Sequence, residues 1–92
     1  MKIDVSEQVV EFIRTCPPEP RRWLREAIRK LSEEKGDIKA LDSDLEGYHR
    51  LRVRSYRVIF RYETSRNGRK IFCAFAERRS VVYEAFLRMV GN

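Results

Sequence analysis

Apolar residues recur along this chain at two different periods, and the change of period separates a helical first part from an extended second part. The opening MKIDV alternates apolar and polar residues and predicts a short first strand. Val9, Val10, Phe12, Ile13 and Cys16 then fall at helical spacing. Ser6 is placed to cap that helix, and Glu7 sits near the positive end of its dipole. Pro17-Pro18 must end it, because neither proline can donate the next hydrogen bond. A second helix is expected from about Pro20 to Lys35, with Trp23, Leu24, Ala27, Ile28 and Leu31 on its apolar stripe and Gly36 as its stop. Its other face carries Arg21, Arg22, Arg25, Arg29 and Lys30. Two amphipathic helices joined by a proline turn read as an α-hairpin.

Residues 37–47, DIKALDSDLEG, are polar and acidic and read as a connecting loop. Three strands follow, at Tyr48 to Ser55, Tyr56 to Thr64 and Lys70 to Glu77, with Asn67-Gly68 as a hairpin turn between the last two. Ile71, Phe72, Cys73, Ala74 and Phe75 form an apolar run expected to be buried on both faces. From Ser80 onward, Val82, Phe86, Met89 and Val90 predict a short closing helix. The order β-α-α-β-β-β-α, over one domain spanning residues 1–92, defines an α+β fold. In it an α-helical hairpin packs on a small antiparallel sheet, with a short C-terminal helix.

Charge changes the picture most in the strands. YHRLRVRSYRVIFRY, residues 48–62, places five arginines in fifteen residues. Strand alternation turns Arg50, Arg52 and Arg54 one way and His49, Leu51 and Val53 toward the helices. Arg57 and Arg61 of the next strand join the first three. Five guanidinium groups on one pleated face repel one another and are costly unless something anionic covers them. The structural alternative is that Asp42, Asp44 and Glu46 neutralise them within the fold. The net charge of +6 agrees with a polyanionic or acidic partner. Fifteen of the twenty basic residues are arginine, the cation suited to forked phosphate contacts and base stacking, unless the host proteome is simply arginine-rich.

The remaining composition closes off other classes. No run of about 18 apolar residues is present, so no membrane span is expected, and the start lacks the apolar core of a secretion signal. Cys16 and Cys73 lie among apolar neighbours and suit reduced, buried thiols of a cytoplasmic protein. With one histidine, the chain lacks a fourth good ligand for a structural zinc site, so neither a metal nor another cofactor is expected.

LEGYHRLRVRSYRVIFRYE (45–63) and FAERRSVVYEAF (75–86) resemble the RelE/ParE superfamily of toxins. Leu45-Glu46-Gly47 leads into the basic strand with Arg50 and Arg52. Tyr56-Arg57-Val58-Ile59-Phe60 follows, and Arg79 through Tyr83 close the pattern. The resemblance covers nearly the whole chain. It implies a toxin held inactive by a cognate antitoxin. In the RelE-like branch the activity is cleavage of messenger RNA on the ribosome, by attack of a 2′-hydroxyl on the adjacent phosphate. In the ParE-like branch the target is DNA gyrase and nothing is cut. A non-catalytic basic nucleic-acid-binding module is a further alternative.

The RelE-like reading assigns Arg50, Arg52, Arg57, Arg79 and Tyr83 to catalysis, with Arg57 on the scissile phosphate and the Tyr83 ring stacking on a base. A tyrosine in a short apolar helix also reads as a packing residue. Arg54, Arg61 and Arg78 are read as RNA-binding. Such chemistry needs a group to take the 2′-hydroxyl proton and cations to steady the phosphorane. This branch often has lysine where Arg50 and Arg52 stand, and arginine does not give up its proton. The candidate bases are therefore Glu77, which also reads as a partner of Arg78, and His49, which alternation turns toward the core.

Overall fold

The computed structural model describes residues 1–91. Strand β1 (Lys2–Val5) leads into helices α1 (Glu7–Thr15) and α2 (Pro18–Lys30). Strands β2 (Asp37–Ala40), β3 (His49–Val53), β4 (Tyr56–Ser65) and β5 (Gly68–Arg78) follow, and helix α3 (Val82–Val90) closes the chain. The Ser6 hydroxyl accepts from the Val9 N–H at 3.2 Å, as expected of the capping residue. Pro18 sits in the first turn of α2, where its missing N–H costs nothing, so that helix begins two residues before the expected Pro20. It ends at Lys30 in a single 3₁₀ turn, Leu31–Glu33, and the left-handed residue that stops the chain is Glu34. The expected helical reach to Lys35 is therefore too long.

The sheet order is β1-β5-β4-β3-β2. Four strands form an antiparallel meander, and β1 joins β5 in parallel, so the sheet is mixed. Residues 37–40, expected to be loop, form the edge strand β2 against β3. A four-residue strand with one apolar side chain at Ile38 carries too little periodicity to be read from sequence.

Each face of the sheet has its own core. The α1–α2 hairpin covers Leu51, Val53, Tyr56, Val58, Phe60, Ile71 and Cys73. On the opposite face, α3 covers Ile59, Ala74 and Phe75 with Val82 and Phe86. A bulge makes this possible. Ile59 pairs with Phe75 and Phe60 with Cys73, so Ala74 is an extra residue and both Ala74 and Phe75 turn toward α3. The closing helix forms as expected, with Met89 and Val90 exposed at its end. Cys16 and Cys73 are buried free thiols, and burial pushes Cys73 up to about 12.

Where β1 stops pairing, α1 takes over the edge of β5. The Ser6 hydroxyl donates to the Ala74 carbonyl at 2.8 Å. The Gln8 amide donates to the Ala76 carbonyl at 2.7 Å and accepts from the Ala76 N–H at 2.8 Å. Two side chains thus replace a missing strand and hold the last residues of β5 in register.

Phe86 is fully buried and meets Tyr48 and Phe75 with ring centroids 5.0 and 5.6 Å apart. Phe86→Ala is expected to cost about 3 to 5 kcal/mol in urea unfolding, because α3 has little else to hold it. A loss below about 1 kcal/mol would mean that α3 does not pack on the sheet in this way.

Candidate functional site

The pairing register builds one rung of charge across the sheet. Asp37 of β2 lies opposite Arg52, Arg52 opposite Arg57, and Arg57 opposite Glu77 of β5. Directly paired residues share a face, so a carboxylate, two guanidinium groups and a second carboxylate stand in line on the α3 side of the sheet. The next rung is Lys39, Arg50, Ile59 and Phe75, where the charges give way to the apolar residues under α3. The charged rung occupies the end of the sheet that α3 leaves uncovered.

Its arginines are held differently. Arg50 is mostly buried and donates through one nitrogen to the Asp37 carbonyl and carboxylate, at 3.0 and 3.1 Å. It clips β2 to β3. Arg57 is half-buried, and its Nη1 donates to the carbonyls of Arg54 and Tyr56, both at 2.8 Å. Those bonds fix the guanidinium while leaving Nε and Nη2 for a ligand, and among the described residues no carboxylate lies within ion-pair distance of it. Arg52 is exposed and likewise makes no ion pair. Glu77 is half-buried, and its carboxylate accepts from the Arg78 N–H at 3.0 Å.

Arg79 is exposed in the turn between β5 and α3, and its N–H donates to the Ser55 carbonyl at 2.8 Å. Tyr83, in the first turn of α3, packs half-buried against the second core, so it borders the open face. The packing role expected as an alternative for Tyr83 is present.

Four other candidate site residues stand outside the charged rung. Arg54 has a positive φ of 56°, which takes it off the strand alternation, and its guanidinium stacks on Trp23 of α2 at 3.8 Å. Arg78 pairs with Tyr56 and so faces the hairpin, where its charge reaches Cys16. His49 turns to the hairpin side as alternation required, stacks on Phe60 and meets Tyr62 edge-on, at centroid distances of 5.5 and 5.0 Å. It stands on the face opposite to the rung and cannot act there as base. Arg61 is on the rung's face but lies over Phe72, donates to the Tyr48 hydroxyl at 3.3 Å and pairs with Glu63 at 2.7 Å.

Asp37 and Glu63, not Asp42, Asp44 or Glu46, are the internal counter-ions of these arginines. Sequence reasoning missed Asp37, Lys39 and Gln8. The signal for the first two was the alternation Asp37-Ile38-Lys39, hidden inside an acidic stretch. For Gln8 no sequence signal exists, because its partner lies 68 residues away.

The fold is that of the RelE/ParE-like toxins. The RelBE2 toxin–antitoxin complex from Mycobacterium tuberculosis superposes with a TM-score of 0.71 at 19% identity, over 85% of this chain and 96% of that one. The YoeB/ParE toxin from Agrobacterium tumefaciens gives 0.69 at 17% identity, over 86% and 99%. The archaeal RelE–RelB complex from Pyrococcus horikoshii gives 0.63 at 24% identity, over 85% and 93%. No protein-family model and no curated protein sequence matches the chain. Among the described residues no helix is long and apolar enough to cross a membrane.

Beside the site, Arg61, Glu63, Lys70 and Asp4 form a chain of ion pairs, the last at 3.1 Å. The hydrogen bond from Lys70 holds the Asp4 carboxyl below its usual range, and the same bond raises Lys70. A depressed carboxylate adds stability above its unfolded value that is lost as pH falls through the folded one. Asp4→Asn is therefore expected to lower the urea midpoint more at neutral pH than in acid, where the loss shrinks as pH falls through the folded Asp4 value. An equal loss at both pH values would exclude the ion pair as the cause.

Proposed function

We propose that this protein is the toxin of a toxin–antitoxin pair and a ribosome-dependent endonuclease of messenger RNA. The observation that carries the reading is the rung Arg52–Arg57–Glu77, two arginines without ion pairs beside a carboxylate on one uncovered face. Cleavage by 2′-hydroxyl attack needs those groups. Glu77 takes the 2′-hydroxyl proton as the oxygen bonds to phosphorus, and Arg57 and Arg52 hold the non-bridging oxygens as charge grows there. The bond to the 5′ oxygen then breaks, leaving a 2′,3′-cyclic phosphate and a 5′-hydroxyl whose proton comes from water or from Lys39, next to Arg50 on the same face. Tyr83 and Arg79 border the site and position the flanking nucleotides. Arg50 acts indirectly, by holding the β2 edge.

The ribosome has a part to play in this reading, since docking there orients the substrate and completes the site. An antitoxin with an acidic segment that folds on binding is the partner that fits the open cations. Several solved structures of the same fold are toxin–antitoxin complexes.

The test is single-turnover cleavage on programmed ribosomes. Messages are expected to be cut only when ribosomes are present, with DNA supercoiling by gyrase unaffected. Arg57→Ala is expected to lose about 100- to 1,000-fold in rate, or about 3 to 4 kcal/mol. Glu77→Gln is expected to lose about 100-fold or more. Arg61→Ala, which removes a paired and partly buried cation, spares the cleavage step and weakens ribosome binding. Tyr83→Phe keeps the packing ring and changes little. Equal mild losses at Arg57 and Arg61 would reduce the face to a general basic surface. Gyrase-linked DNA breaks with intact messages would assign the fold to the other target.

A further inference from the structure

Around the β3 edge from the rung lies a cavity of about 410 Å³ between α2 and the sheet. Its walls are Trp23, Ala27, Gly36 and Leu51, and its rim carries Arg22, Lys30, Lys35 and Arg52 against the single carboxylate of Glu26. That carboxylate is already held by Arg29, with Arg29 Nη2 and Glu26 Oε1 2.5 Å apart. Lys30 and Arg52 make no ion pair, and the pairs of Arg22 and Lys35, at 3.7 and 3.4 Å, are exposed and weak. The depth of the cavity depends on Gly36. A Cβ there would sit 2.8 Å from Leu51 Cδ1, and the backbone has φ of 132°. Trp23 is fixed by the Arg54 guanidinium stacked on its ring.

An aromatic wall, an apolar floor and a cationic rim are the elements that bind a single-stranded nucleotide, the base against the indole and the phosphates on the rim. Arg52 lines this cavity and also stands in the charged rung. We propose that the Trp23 cavity is a second nucleotide subsite, which takes a base of the RNA strand extending beyond the rung. The inference rests on RNA being the ligand of the arginine face. An acidic protein segment, the competing occupant, would use the rim but gain nothing from the indole.

Trp23 is the only tryptophan in the chain, so its emission reports on the cavity alone. The probe is a 2′-O-methyl RNA of about six nucleotides, which binds but cannot be cleaved. Saturable quenching of Trp23 emission is expected, with about three- to tenfold weaker binding in Lys30→Ala and Lys35→Ala and a shallower salt dependence in each. Both substitutions are on exposed side chains and leave the core intact. Trp23→Phe, followed by anisotropy of a labelled probe, is expected to weaken binding less than Trp23→Ala, since the smaller ring still stacks. Arg57→Ala is expected to slow cleavage about 100- to 1,000-fold while the quenching persists, which separates this subsite from the proposed catalytic role. Quenching without any nuclease activity would overturn the endonuclease reading and leave the subsite standing. Cleavage without quenching, or quenching by polyglutamate as strong as by RNA, would overturn the subsite.

Discussion

Strand β4 must bury three successive side chains, Val58, Ile59 and Phe60, and all three are fully inaccessible. Alternation sends Ile59 to the face opposite the other two, so one layer of helices cannot cover the strand. The α1–α2 hairpin takes Val58 and Phe60, and α3 has to return over the sheet for Ile59. The bulge at Ala74 serves the same demand by turning two adjacent residues of β5 toward α3. A nine-residue helix covers only part of a five-stranded sheet. The uncovered remainder is where Arg52, Arg57 and Glu77 stand.

That geometry sorts the arginines by their distance from α3. Arg61 is close enough for its guanidinium to lie over Phe72 and to reach the Tyr48 hydroxyl, and Glu63 neutralises it. Arg50, one rung farther, is spent on Asp37. Arg52 and Arg57 face each other directly, an arrangement that costs stability between like charges. The flanking Asp37 and Glu77 offset part of that cost without pairing either group closely. Removing one of the two like charges would relieve that repulsion, which fits the proposal that an anion covers the pair.

Element order, the hairpin, the two long strands and the Ser6 cap were legible because each carries a local signal over several turns or alternations. Strand β2 was not, since four residues with one apolar position do not separate from an acidic loop. Arg50, Arg52 and Arg57 were legible as one face from alternation. Arg54 was misplaced because a left-handed residue takes it off the count of two. His49 behaved as alternation required. That Glu77 stands opposite Arg57 needed the pairing across strands, which no single strand encodes. The cavity at Trp23 depends on Gly36 and Leu51 coming together, and was invisible for the same reason.

Arg57 shows how the fold prepares a cation for use. A free arginine loses rotamer entropy when it grips a phosphate, on the order of 2 kcal/mol for the whole side chain. Here two backbone carbonyls already hold Nη1, so most of that ordering is done by the turn that carries Arg54. The turn in turn is tied to the start of the α3 connection by the bond from the Arg79 N–H to the Ser55 carbonyl. Gln8 fixes the facing end of β5 through both backbone groups of Ala76, one residue before Glu77. The two sides of the proposed reaction, cation and carboxylate, are therefore positioned by separate hydrogen-bond anchors that do not involve the charges themselves. Disturbing either anchor alters the spacing across the rung and leaves its net charge unchanged, so geometry and electrostatics at this site can be varied independently.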